Sequence, residues 1–271
     1  MKQNKRNVCC CLLVLSLLLL GCAPSTDSIV PERKLESALQ TVSAGRQARD
    51  TSLSGVVEGN GFSDGCCYES LSFQTTEEGK AVYSPEPGTG TKLIGCSIVS
   101  EGADKPCFLL SDDTALSLEN CTAISDTCLF DCSESLCFEI SVLKGVTDLK
   151  QGILMRMGSG EGKLTILGCS IAGSIEAEDP SLAIAIGEGA RWIGSADSED
   201  FRGISVSFYA DGVWELTSDT RIGMLPDGPK TAAHIFSNGF NLYYDSSLEE
   251  NAELNSGTYA LQGGGFLIPL I

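Results

Sequence analysis

Ser63 and His234 are the residues of this chain whose types could carry nucleophilic catalysis. Gly61-Phe62-Ser63-Asp64-Gly65 spells the Gly-x-Ser-x-Gly order in which a strained strand-to-helix turn exposes a serine hydroxyl, and His234 is the single histidine of 271 residues. A histidine base would take the serine proton and return it to a leaving group. Yet Cys66-Cys67-Tyr68-Glu69, which follows, opens no helical pattern, and the body has no strand–helix alternation. A Gly-rich turn is therefore expected around Ser63, and a satisfied or partly exposed strand histidine at position 234.

Two further patterns fall short of chemistry. Gly158-Ser159-Gly160-Glu161-Gly162-Lys163 is Gly-rich, but Met157 stands where a phosphate-binding loop needs its first Gly, and Leu164 replaces the Ser or Thr. It reads as a turn. Cys128, Cys132 and Cys137 are spaced by four and five, with no Cys-x-x-Cys and no neighbouring His, which is not the spacing of a structural zinc site. Adjacent Cys66 and Cys67 would point to opposite faces of a strand, so no metal is assigned to them. The chain has 36 acidic against 18 basic residues, a net charge of −18 that repels phosphate backbones, so no nucleic-acid partner is expected. With 42% hydrophobic residues, 30 Gly and 9 Pro, it is neither a disordered tail, a collagen nor a multispanning membrane protein.

The elements that would position any such group begin after an address. Lys2, Lys5 and Arg6 precede an apolar run from Val8 to Leu20 that ends in Leu19-Leu20-Gly21-Cys22. That run is shorter than the ~20 residues of a membrane-spanning helix and reads as a secretory signal over residues 1–21. The Leu-Leu-Gly-Cys order resembles a bacterial lipobox, which implies that Cys22 becomes an acylated N-terminus. The expected result is a protein anchored on a membrane by lipid without crossing it. Cleavage there would leave 15 basic and 36 acidic residues. Ala23 is not the Asp that in enteric bacteria retains lipoproteins at the inner membrane, so the outer membrane or cell surface is the favoured address. Residues 22–54 are polar, with Leu35, Leu39 and Val42 at helical spacing, and read as a flexible or weakly helical tether.

From about residue 55 the chain is short apolar alternations broken by Gly, Asn, Asp and Ser, so strands dominate. Leu93-Ile94-Gly95-Cys96-Ser97-Ile98 returns 73 residues later as Ile166-Leu167-Gly168-Cys169-Ser170-Ile171. Intermediate copies are expected at Leu118-Glu119-Asn120-Cys121-Thr122 and Leu143-Lys144-Gly145-Val146-Thr147, and a later one at Trp192-Ile193-Gly194-Ser195-Ala196. Gly95, Asn120, Gly145, Gly168 and Gly194 would then be left-handed bends between two strands. The residue two places earlier and the small residue after the bend should point inward. Gly65-Cys66-Cys67, Leu216-Thr217-Ser218 and Tyr243-Tyr244-Asp245 are more degenerate candidates.

A period of about 24 residues built of short strands and tight bends resembles the right-handed parallel β-helix of the pectin-lyase-like superfamily. The resemblance implies an all-β solenoid of about nine coils over residues 55–271, with Gly263-Gly264-Gly265-Phe266-Leu267-Ile268-Pro269 as a C-terminal cap. The alternative is a β-sandwich or jelly roll, which does not require near-identical bends at that period. In the solenoid, Cys96, Cys121 and Cys169 fill the inward position as buried free thiols, although Cys96 and Cys121 on consecutive coils could also bridge.

Many pectin-lyase-like proteins act on glycans, and the resemblance directs attention to carboxylates. Asp112-Asp113 resembles the acidic pair of polygalacturonases, which divides acid and base roles, but the companion Asn-Thr-Asp and Gly-His-Gly motifs are missing. Glu176, Glu178 and Asp179, or Asp197, Glu199 and Asp200, could supply oxygens to a calcium ion of the pectate-lyase kind, with an Arg or Lys as base. Arg156, Arg191 and Arg202 are scattered, without evident partners in the sequence. These acidic clusters otherwise read as solvated turns, and no cofactor is assigned beyond that calcium. The expected function is a noncatalytic, lipid-anchored cell-envelope protein whose β-helix surface serves adhesion, glycan contact or envelope organisation, with a glycan or an envelope protein as partner. The alternative is a polysaccharide lyase or glycoside hydrolase acting on acidic glycans.

Overall fold

The computed structural model describes residues 67–70, 72–75, 88, 90–100, 106–149 and 152–271. The signal, Cys22, the tether, Ser63, Gly65 and Cys66 lie outside the described residues. The described chain is a parallel β-solenoid. One sheet has seven strands, from Cys67–Glu69 through Thr114–Glu119 and Gly160–Leu167 to Ile204–Phe208. A second has eight, from Ser72–Thr75 through Val146–Leu149 and Arg191–Gly194 to Ile235–Phe236. A third has five, Phe108–Leu109, Cys128–Cys132, Ile153–Met157, Ser174–Ala177 and Ala196–Ser198. Each strand pairs with its counterpart one turn earlier and one turn later, so the chain visits the three sheets in rotation.

About seven turns form, against the expected nine. After Phe208 the first sheet continues only as an isolated bridge, Ser205 with Met224, and a 3-10 helix, Gly228–His234, takes the place of its next strand. A fourth sheet, Thr220–Ile222, Leu242–Asp245, Phe266–Leu270 and Tyr259–Ala260, closes the C-terminal end. Tyr259–Ala260 runs antiparallel to Phe266–Leu270, the one reversed pairing among the described strands. Tyr259–Ala260 is only two residues long, so this sheet ends in a short edge that offers little for further strand addition.

The core follows from the period-two alternation of each strand. In Gly160–Leu167 the inward residues Gly162, Leu164 and Ile166 are buried while Glu161 and Lys163 are exposed. Inward positions stack: Leu93, Leu118, Val142, Ile166, Ile186 and Phe208 form one buried column. In the neighbouring column Phe138, Gly162 and Leu182, large and small side chains complement each other across turns. The Phe138 ring occupies the space above Gly162, where a Cβ would lie 2.3 Å from Phe138 Cζ.

The corner between the first and second sheets is a row of left-handed residues. Ser70, Gly95, Asn120, Lys144, Gly168, Glu188 and Ala210 have φ between 52° and 61° and occupy equivalent places one turn apart. Their amides continue the ladder around the corner: Asn120 N donates to Leu143 O at 2.8 Å, and Lys144 N to Leu167 O at 2.9 Å. The row corrects the expected register at two places. Lys144, not Gly145, is the bend residue, and Gly145 occupies the inward place of Cys96, Cys121 and Cys169. A Cβ at Gly145 would meet Cys121 O at 3.2 Å. The fifth bend is Glu188, 20 residues after Gly168, because that turn is shorter than the 25 residues separating Gly95 from Asn120. Trp192–Ala196 therefore lies on the second sheet and the following corner, and Leu216 ends a strand of that sheet, while Tyr243–Asp245 belongs to the fourth.

Candidate functional site

A groove along the outer face of the third sheet gathers four of the eight carboxylates singled out in the sequence, Glu176, Glu178, Asp197 and Glu199. Strand register places Asp131, Arg156, Glu176 and Asp197 on four consecutive turns as direct neighbours. Arg156 Nε lies 3.1 Å from Glu176 Oε2. Asp131 Oδ1 accepts from Ser133 N at 3.1 Å and from Ser133 Oγ at 2.5 Å. Asp197 faces Glu176 as a like charge, an arrangement that destabilises directly opposed strand pairs. The groove, shallow and about 400 Å³ in volume, runs beside this row, with Ser133, Arg156, Glu176, Glu178, Asp197 and Glu199 in its walls. In the core at the start of the strand Cys128–Cys132, burial pushes the Cys128 thiol up to about 11, so its sulfur stays protonated there.

The groove unites residues from both proposed calcium clusters, yet their oxygens do not converge. Among the described residues, no three Asp, Glu, His or Cys side chains come together as metal ligands. Asp179 and Asp200 sit in exposed turns, and Asp200 Oδ1 accepts from Arg202 N at 3.1 Å at the start of a short 3-10 turn. The residues present thus do not form a ready calcium site. Arg156 was without an evident partner in the sequence, as were Arg191 and Arg202. The fold supplies one to each: Glu176, Glu215 and Asp245. Arg202 Nε stands 3.1 Å from Asp245 Oδ2.

Asp112 and Asp113 belong to a different corner, before the strand Thr114–Glu119. Asp112 Oδ1 accepts from Leu136 N of the next turn, and Asp113 takes a left-handed backbone at φ 55°. This pair shapes a turn. His234 ends the helix Gly228–His234, its ring stacked on Phe208 with centroids 5.2 Å apart. His234 Nδ1 lies 2.8 Å from Gly212 O. Because a carbonyl only accepts, Nδ1 carries the proton. Ser63, its suggested partner, is outside the described residues.

The cysteines are core components. Cys96, Cys107, Cys121, Cys128, Cys132 and Cys169 are buried and unbridged, and Cys137 is half-buried. Cys121 Sγ donates to Leu93 O at 3.3 Å, and its hydrogen bond with Cys96, together with burial, raises its pKa. Burial pushes Cys107 up to about 12. These sulfurs are protonated fillers rather than nucleophiles.

Sequence reasoning missed the aromatic column of the second sheet. Trp192 and Trp214 stack with centroids 4.6 Å apart and planes 9° from parallel. Trp192 Nε1 donates to Gly173 O at 2.8 Å, and Trp214 Nε1 to Gly194 O at 3.0 Å. Both rings are fully buried, so neither is a surface platform for a sugar. The only advance signal was the pair of Trp residues, 22 apart, each two residues after a small one (Ala190 and Gly212).

Compared with known proteins, the chain matches no protein-family model. No curated protein and no solved structure is significantly similar to it.

Proposed function

We propose that this is a bacterial lipoprotein, anchored in the cell envelope by acyl chains on Cys22. Its body, a right-handed β-helix of the pectin-lyase-like kind, displays a surface for adhesion, glycan contact or envelope organisation without catalysis. Leu19-Leu20-Gly21-Cys22 supports the anchor, and Ala23 favours the outer membrane or cell surface. The observation that carries the noncatalytic reading is the employment of the body's reactive groups. Asp112 holds Leu136 N, Arg156 holds Glu176, Asp200 holds Arg202 N, and His234 Nδ1 is tied to Gly212 O. Groups bonded to neighbouring turns, or within their own turn as Asp200 is, are positioned to hold the stack rather than for proton transfer to a bound molecule.

Metabolic labelling with an alkyne fatty acid, followed by detergent phase partition, tests the anchor. Wild-type chain should take the label and enter the detergent phase, and Cys22→Ala should do neither. Label or partition that survives Cys22→Ala overturns the anchor.

A second reading, turnover of acidic glycans, draws on the groove that places Arg156 between acidic neighbours on adjacent turns. Polyuronate turnover dependent on calcium and lost in Glu176→Gln or Asp197→Asn would replace the noncatalytic reading. Its failure with and without calcium sustains the display reading.

A further inference from the structure

A second pocket lies at the opposite corner of the solenoid, where the first and second sheets meet near the C-terminal end. It has a volume of about 260 Å³, and Arg191, Asp211, Val213, His234, Phe236 and Gln262 line it. Three successive turns contribute: the bend after Glu188, the bend after Ala210, and the segment that ends the helix Gly228–His234. The pocket exists because these two bends are one residue longer than the earlier ones. Glu188 and Ala210 stand three residues before the paired Arg191 and Val213, whereas Gly168 stands two before Ser170.

Its polar groups are mostly acceptors. His234 Nδ1 is tied to Gly212 O, so Nε2 is the ring nitrogen left to meet a ligand. Gln262 Nε2 donates to Ala233 O at 2.6 Å, which leaves the amide oxygen free to accept. Asp211 is exposed and its carboxylate makes no hydrogen bond or ion pair with another of the described residues. The donor is Arg191, half exposed and paired with Glu215 through one nitrogen. The apolar part is Phe236, 39% exposed, beside Val213.

A ligand for this wall must donate several hydrogen bonds, accept at least one, and present an apolar face to an aromatic ring. A cation would donate but is opposed by the Arg191 guanidinium, and an anion is opposed by Asp211 and Glu215. A polyol ring meets every condition: its hydroxyls both donate and accept, and its C–H face packs on Phe236. The volume lies below the ~300–1,000 Å³ of drug-sized sites, which suits a single ring. We propose that the pocket is a binding site for one ring of an uncharged saccharide, held by Asp211, His234 and Arg191 over Phe236. This deepens the surface-display reading and rests on it for the class of partner.

The test uses the full chain in a detergent without sugar headgroups and a panel of neutral oligosaccharides of glucose, galactose, mannose and N-acetylglucosamine. Saturation-transfer NMR and calorimetry read binding. At least one oligosaccharide should bind. Asp211→Asn should weaken it roughly tenfold, the loss expected when a charged acceptor is removed. Ala233→Trp, at an exposed position in the pocket wall, should block it while circular dichroism stays unchanged. A saccharide bound equally by wild type and both variants overturns the pocket and leaves the display reading standing. No binding by any member up to ~10 mM, weaker than the millimolar scale of single-ring contacts, overturns the pocket while the Cys22 experiment stands independently.

Discussion

Lys144 occupies, one turn later, the place of Asn120: φ is 54° at Lys144 and 53° at Asn120, and each amide donates to a carbonyl of the next turn. Asn tolerates this conformation; for Lys it costs about 1 kcal/mol or more. The stacked neighbours on both sides hold it there. Lys144→Gly should therefore raise stability by about 0.5–1 kcal/mol, measured by urea denaturation. Gly168→Ala, at φ 61° with a new Cβ 3.3 Å from Lys144 Cγ, should lower it by about 1 kcal/mol or more. Equal or reversed signs would contradict the shared corner.

The tryptophan column makes a sharper demand. A Cβ on Gly194 would sit 2.2 Å from Gly173 O and 2.8 Å from Trp192 Nε1. Gly194→Ala should cost at least ~2 kcal/mol, because backbone must shift and the indole hydrogen bond is disturbed. Near-ultraviolet circular dichroism should lose the stacked-indole signal along with stability. A neutral substitution would place the two rings elsewhere.

The outer row on the third sheet ends in a like-charge contact, Glu176 opposite Asp197. Asp197→Lys would extend the alternation begun by Asp131, Arg156 and Glu176. The expected gain is about 0.5 kcal/mol, seen as a small rise in Tm at low salt that fades at high salt. A fall in Tm would mean that Asp197 is engaged elsewhere.

Alkaline stability follows from the thiols. Cys107 has an ordinary value of 9.0 and is pushed up to about 12 by burial, and Cys128 rises to about 11. Between pH 9 and 12 the folded chain then binds more protons than the unfolded one, so stability falls as pH rises through that window. The contribution is fully present below pH 9. Native protein at pH 8 should resist iodoacetamide at Cys107 and Cys128, with peptide mass spectrometry as the readout. Rapid labelling of either site before unfolding would contradict their burial.

The solenoid was legible because Gly95, Asn120 and Gly168 are residue types that announce a left-handed bend, each followed by a small inward Cys. The register slipped where composition and position part company. At Lys144 the stacked hydrogen bonds impose a conformation that the side chain does not advertise, and the neighbouring Gly145 looks like the bend while filling an inward slot. Beyond Gly168 the turn contracts to 20 residues, so a search at 23 to 26 passes Glu188 and stops at Gly194. The acidic clusters at 176–179 and 197–200 were visible as local composition, although Glu176 and Asp197 lie on strands and only the later residues of each cluster lie in turns. Their meeting with Arg156 depends on cross-turn register, which local patterns do not carry. The Asp211 and His234 pocket depends on one extra residue in two bends and was invisible for the same reason.

The stacking of turns at the first corner is the premise of both sites. Hydrogen-bond scalar couplings in deuterated, ¹⁵N,¹³C-labelled protein read it directly. Correlations from Asn120 N to the Leu143 carbonyl carbon and from Lys144 N to that of Leu167 are the predicted result, given N–O distances of 2.8 and 2.9 Å. Coupling of Lys144 N to a carbonyl within its own turn, or of Gly145 N to Leu167, would contradict the register on which the groove and the pocket are built.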